Sequence, residues 1–197
     1  MKHFLSAAVL TIVVLSGFGS SLSAASDGGL GTSQLRSGNA RIVEAFRFAY
    51  ARSATFRALV DTIESSRDIV YLEAEFPGSR PFRSSLQLAS GNGAVRYLRI
   101  DIDVHQPQRI VVAQLAHELQ HATEVVSRPD VVDAQSLIDL YRQIGYRSCQ
   151  PRSGECWETL QARAIERLVV DETQRSRTTN AVAAHDDDPN LQPGRGR

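Results

Sequence analysis

His117, Glu118 and His121, within the run QLAHELQHATE from Gln114 to Glu124, have the spacing that lets one helix offer two imidazoles to a single ion. Residues four apart on an α-helix lie one above the other, and Glu118 then stands beside the pair. A metal held by neutral imidazoles lowers the pKa of its water toward about 7, and a neighbouring carboxylate can take that proton and pass it on. This is the chemistry of metal-assisted hydrolysis.

The surroundings strengthen the motif. From Ile110 to Val126 the sequence has helical period, and Val111, Leu115, Ala122 and Val125 share a stripe with Glu118. A carboxylate on an apolar stripe requires a partner, because an isolated buried charge is costly. A cation would supply one. The competing reading is an ordinary helix with two unconnected histidines.

Catalytic zinc takes three protein donors and keeps one position open, so a further ligand must come from elsewhere in the chain. A histidine spaced as in HExxHxxGxxH would fall at position 127, which is Ser127, and His105 and His185 lie before the helix and near the C-terminus. A carboxylate is therefore the expected donor. Glu158 is preferred, on a helix read from Glu155 to Thr173 and on the stripe of Ala162, Ile165 and Val169. Glu166 and Glu155 are rivals that a solvent-facing position also explains, and Glu124 lies too close to His121 along the helix to be a comfortable ligand.

The elements that must position these groups follow from pattern. Ala40–Ala51 and Thr55–Ser65 have helical apolar spacing; Asp68–Ala74, Phe82–Ala89 and Val95–Val104 read as strands, the last alternating cleanly. Ser90-Gly91-Asn92-Gly93 supplies a tight hairpin turn. A further helix spans Val132 to Ile144 and stops at Gly145. The expected architecture is α+β, a small antiparallel three-stranded sheet packed on helices that include the HExxH helix and a C-terminal ligand helix. Residues 39–175 form the domain, 26–38 a flexible lead-in, and 176–197 a disordered tail.

Acidic and basic residues balance at 22 each, so no electrostatic case for nucleic acid arises. Met1–Ala25 has the layout of a secretory signal peptide: Lys2, an apolar run FLSAAVLTIVVL, then small residues ending in Ala24 and Ala25. An uncleaved anchor is the alternative, and no later stretch approaches the roughly 20 apolar residues of a membrane span. The chain is expected to be exported, to a bacterial periplasm or the extracellular space. In that setting Cys149 and Cys156, around the loop QPRSGE, are most simply a disulfide; free thiols or thiolate ligands are the alternatives.

HELQH, the alternating strand before it and a glutamate downstream resemble the gluzincin metallopeptidases, especially compact forms reduced to the catalytic core. The resemblance covers about Asp68 to Thr173. It implies a zincin-like fold, one Zn²⁺ held by His117, His121 and Glu158, and Glu118 polarising water. It also implies that the strand before the metal helix, at Arg96, Tyr97, Leu98 and Arg99, pairs with an extended substrate backbone. Gluzincins often place an aspartate four residues after the ligand glutamate to orient a histidine; here that position is Ala162, a departure that leaves the orienting group unassigned. Tyr141, Tyr146, Arg147 and His105 are candidates for stabilising an oxyanion.

The sequence thus points to an exported zinc metallopeptidase acting on a peptide or protein. Two other classes stay open: a catalytically weak domain in which zinc staples two helices, and an envelope interaction protein that binds no metal.

Overall fold

The computed structural model describes residues 30–31, 34–74, 84–91, 95–148 and 156–186. The signal-peptide reading of Met1–Ala25 lies outside the described residues. In chain order the elements are β1 (Leu30–Gly31), β2 (Leu35–Ser37), α1 (Ala40–Arg52), α2 (Ala54–Glu64), β3 (Ile69–Ala74), β4 (Ser84–Gly91), β5 (Arg96–Ile102), α3 (Gln108–Val126), α4 (Ala134–Ile144), β6 (Tyr146–Arg147), β7 (Trp157–Glu158) and α5 (Leu160–Asp186). The architecture is mixed α and β, as expected, but its details depart from the expectation in three places.

First, the sheet has five strands in the order β1-β2-β3-β5-β4, not three antiparallel ones. β4 and β5 pair antiparallel as expected, though Ser90 and Gly91, read as turn residues, belong to β4 opposite Tyr97 and Arg96, and Asn92 and Gly93 lie outside the described residues. β3 runs parallel to β5 over Ile69–Ala74, and β2 runs parallel to β3. Alternation buries one face of β5 whichever neighbour it takes, so the pattern is silent on strand direction.

Second, the lead-in supplies β1 and β2. Leu35 is fully buried, and its N–H together with that of Gln34 donates to the Glu64 carboxylate, while Ser37 Oγ donates to the Leu72 carbonyl. Those bonds, rather than any apolar period, hold so short a segment in place.

Third, α5 does not begin at Glu155 and does not end near Arg175. Thr159 is its N-terminal cap, Oγ1 accepting from Ala162 N at 3.0 Å, and the helix runs for 27 residues into the stretch read as a disordered tail.

α3 is the pivot of the fold. Its residues Val111, Val112, Leu115, Ala116, Leu119, Ala122 and Val125 are buried, in one core cluster with Phe46, Phe56 and Ile63 of α1 and α2 and with Val70, Leu72, Leu98, Ile100 and Ile102 of the sheet. Each large apolar side chain so buried contributes about 1.5–3 kcal/mol. The C-terminal end of α3 is clamped by Arg96 from the start of β5. Its guanidinium donates to the carbonyls of Val126, Arg128 and Val131 and pairs with buried Asp68. No helix among the described residues is long and apolar enough to cross a membrane.

Candidate metal centre

α3 delivers His117, Glu118 and His121 to one wall of a cavity of about 470 Å³. β4 contributes Ser84–Gln87 to the same cavity, α4 contributes Leu137, Ile138 and Tyr141, and β7 contributes Trp157 and Glu158. One donor atom from each of His117, His121 and Glu158 lies within 4.8 Å of the others. His117 Nε2 is 3.4 Å from Glu158 Oε2, and His121 Nε2 is 3.5 Å from Glu158 Oε1. One carboxylate therefore faces both rings.

The opposite ring nitrogens are each held by another carboxylate. His117 Nδ1 is 3.0 Å from Glu166 Oε2 of α5, and His121 Nδ1 is 2.9 Å from Glu124 Oε2 of α3. A proton kept on Nδ1 by such a bond leaves the Nε2 lone pair free to ligate. Glu124 is itself anchored, accepting from Thr159 Oγ1 at 2.8 Å and from Gln120 Nε2 at 3.3 Å. The Tyr141 ring stands edge-on to the His121 ring with centroids 5.3 Å apart.

Glu158 reaches the site from a two-residue strand rather than from a helix. β7 pairs antiparallel with β6, Tyr146 opposite Glu158, and Thr159 N donates to Glu158 Oε1 at 2.8 Å. Gly145, the C-cap of α4, lies against the same backbone: a Cβ there would stand 2.6 Å from the Glu158 carbonyl oxygen. Cys156, just before β7, is disulfide-bonded. Cys149, the chain's only other cysteine, lies outside the described residues, as does the rival ligand Glu155.

Charge in this cluster is unbalanced toward the negative. Burial disfavours the His121 imidazolium, but hydrogen bonds to Glu124 and Glu158 and the charge of Glu118 outweigh it and lift its pKa to about 10. His117 is raised in the same way, burial being opposed by Glu166, Glu118 and Glu158. Burial pushes the Glu118 carboxyl up, against the two imidazoles and the hydroxyl of Ser84, which donates to Glu118 Oε1 at 2.7 Å. Glu158 is also opposed by burial, yet His121, His117 and the Thr159 N–H hold it below the ordinary carboxylate range. Four carboxylates around two imidazoles call for positive charge, and a divalent cation where the Nε2 atoms converge on Glu158 meets that need. The donor set thus fits a metal ion.

The other expected residues divide. Tyr141 lines the cavity, and burial followed by the nearby carboxylates pushes its hydroxyl pKa well above 10, so it remains a donor. Tyr146 accepts from Arg163 on an exposed hairpin, Arg147 stacks over Trp157, and His105 is exposed in the turn before α3; none of the three lines the cavity. The substrate-strand assignment to Arg96, Tyr97, Leu98 and Arg99 is corrected: β5 has β3 on one side and β4 on the other, so it has no open edge along these residues. Arg96 serves instead as the clamp on α3.

Thr159 and Ser84 escaped the sequence analysis, and Glu124 and Glu166, weighed there as metal ligands, instead hold the Nδ1 atoms of His121 and His117. Glu124 had a signal, being three residues from His121 on the same face, and Ser84 had none. Comparison with protein-family models, with curated proteins and with solved structures found no match.

Proposed function

We propose that the chain is an exported zinc metallopeptidase of the minimal gluzincin kind, with His117, His121 and Glu158 holding one Zn²⁺ and Glu118 as general base. The observation that carries this reading is the orientation of the two imidazoles, each with Nδ1 on a separate carboxylate and Nε2 toward the carboxylate of Glu158. Three donors of the His₂Glu type leave a position open, as catalytic zinc requires. Zinc at this cluster would supply the Lewis acidity that acidifies a water and polarises a carbonyl.

The chain's own groups do the rest. Glu118 is buried, its Oε1 tied to Ser84, and its other oxygen takes the proton of the attacking water and returns it to the leaving amine nitrogen. The Tyr141 hydroxyl donates to the His121 carbonyl at 3.5 Å; turned from that long bond toward the cavity its side chain lines, it would donate to the oxygen on which negative charge develops. An extended peptide lies along β4, which takes over the role first given to the neighbouring strand. Among the described residues β4 is at the sheet edge, and Ser84–Gln87 border the same cavity as Glu118. The N-terminal layout and the disulfide-bonded Cys156 support a periplasmic or extracellular location.

Zinc content and hydrolysis of a mixed unfolded-protein substrate test this together. Glu118→Gln should retain zinc and lose about 10²–10⁴-fold in rate, while His121→Ala should lose the zinc. A chain that binds zinc tightly and hydrolyses nothing would favour the zinc-stapled, non-catalytic class instead.

A further inference from the structure

Thr159 is buried, with 2% of its surface exposed, and besides accepting from Arg163 N through its carbonyl it makes three polar contacts around the two halves of the centre. Its N–H donates to Glu158 Oε1 at 2.8 Å. Its hydroxyl donates to Glu124 Oε1 at 2.8 Å, and the other oxygen of that carboxylate is 2.9 Å from His121 Nδ1. The same hydroxyl oxygen accepts from Ala162 N, capping α5. One residue thus connects a ligand on α3, a ligand on β7 and the start of the helix that follows.

We propose that Thr159 is a positioning residue for the metal site, its hydroxyl fixing Glu124 so that Glu124 in turn fixes the His121 ring; this rests on the metal reading above. A glutamate side chain has three rotatable bonds, and a carboxylate that must hold one ring nitrogen at a set angle gains by having its second oxygen tied. Thr159 does this from across the site, so the ring of His121 and the carboxylate of Glu158 are registered to the same backbone position. In this chain that link stands in the role left open at Ala162, whose side chain carries no polar group.

The experiment is a competition titration of Zn²⁺ against a chromogenic chelator with the full chain, its fold checked by circular dichroism. Thr159→Val keeps the backbone N–H to Glu158 but removes the hydroxyl, and Zn²⁺ affinity should fall about 10-fold or more. Thr159→Ser should bind within about threefold of the wild type, since it keeps both hydroxyl bonds. Loss of the helix cap alone could also weaken the site, so the pair is measured again in a Glu124→Ala background. There, Thr159→Val should cost less than about twofold, because the group through which it acts is gone.

An equal loss in both backgrounds, or Thr159→Val binding Zn²⁺ as tightly as the wild type, would overturn the role. If Thr159→Val fails to fold, Thr159→Gly takes its place: glycine is tolerated as the cap of α5 but has no hydroxyl for Glu124, and wild-type affinity in it would overturn the role equally. A wild-type chain that takes up no Zn²⁺ sinks the metal site itself, and this inference with it, whereas failure confined to the Thr159 variants leaves the metal site standing.

Discussion

The two sides of the candidate metal centre are built by different means. His117, Glu118 and His121 sit on a 19-residue helix whose apolar residues belong to the main core and whose end is gripped by Arg96. Glu158 sits on a two-residue strand held by its pairing with Tyr146, by the close approach of Gly145 and by the Thr159 N–H, with the disulfide-bonded Cys156 just before it. To displace the first side is to open the fold. The second side can shift while the main core stays packed, so metal affinity there should respond to changes that leave global stability largely intact.

The largest effect belongs to the first side. Arg96→Met leaves the buried Asp68 carboxylate with the backbone N–H of residue 96 but without its cation, and removes the guanidinium donors from the carbonyls of Val126, Arg128 and Val131. Urea denaturation should show a loss of about 3–5 kcal/mol. Zinc uptake should fall only as far as the folded fraction falls. Adding Asp68→Leu should restore part of the loss, since the unpaired carboxylate goes with it. An Arg96→Met chain of wild-type stability would remove the distinction between the two sides.

Gly145→Ala addresses the second side. The Gly145 φ of −124° suits any residue, so backbone strain is not the issue; the new Cβ would meet the Glu158 carbonyl oxygen at 2.6 Å and the Tyr141 carbonyl oxygen at 3.0 Å. Both are backbone atoms that cannot turn aside, and relief requires β7 to move. The stability loss should be about 1–3 kcal/mol. Zn²⁺ affinity of the molecules that remain folded should drop as well, because Glu158 moves with the strand. Unchanged affinity in a chelator titration would mean that β7 is held more firmly than its short pairing with β6 suggests.

The same contrast explains what the sequence revealed and what it withheld. α3 was expected over Ile110–Val126 and spans Gln108–Val126, because a long amphipathic helix repeats its period many times and its two histidines are fixed by local spacing alone. β5 and its hairpin with β4 were legible for a similar reason. β7 was not, since two residues have no period, and Glu158 was assigned to a helix that begins after it. The parallel pairing of β3 with β5 arises because β5 returns between β3 and β4, a non-local choice that alternation does not record. Glu124 and Glu166 have the composition of solvent-facing charges; what gives them a role is the position of two ring nitrogens in three dimensions.

The smallest expected effect comes from the far part of α5, where Glu172 bridges to the start of α2. Its Oε2 accepts from Ser53 Oγ and, at 3.1 Å, from Thr55 N, and its Oε1 accepts from Thr55 Oγ1 at 2.8 Å. Burial pushes this carboxyl up, but the hydrogen bonds from Ser53 and Thr55 prevail and hold it below its ordinary value of 4.5. A lowered folded-state pKa means that the contribution is present above the unfolded value and is lost as pH falls through the folded one. Glu172→Gln should therefore destabilise the chain at neutral pH by at most about 1 kcal/mol, water screening a carboxylate so near the surface. The difference from wild type should vanish as pH falls through the lowered folded-state value. Zn²⁺ affinity at neutral pH should not change, because α5 begins afresh from its own cap at Thr159 beside Glu158. A drop in affinity in Glu172→Gln would show that α5 transmits strain along its length to β7, and the Glu158 side of the centre would then be tied to the core as firmly as the histidine side.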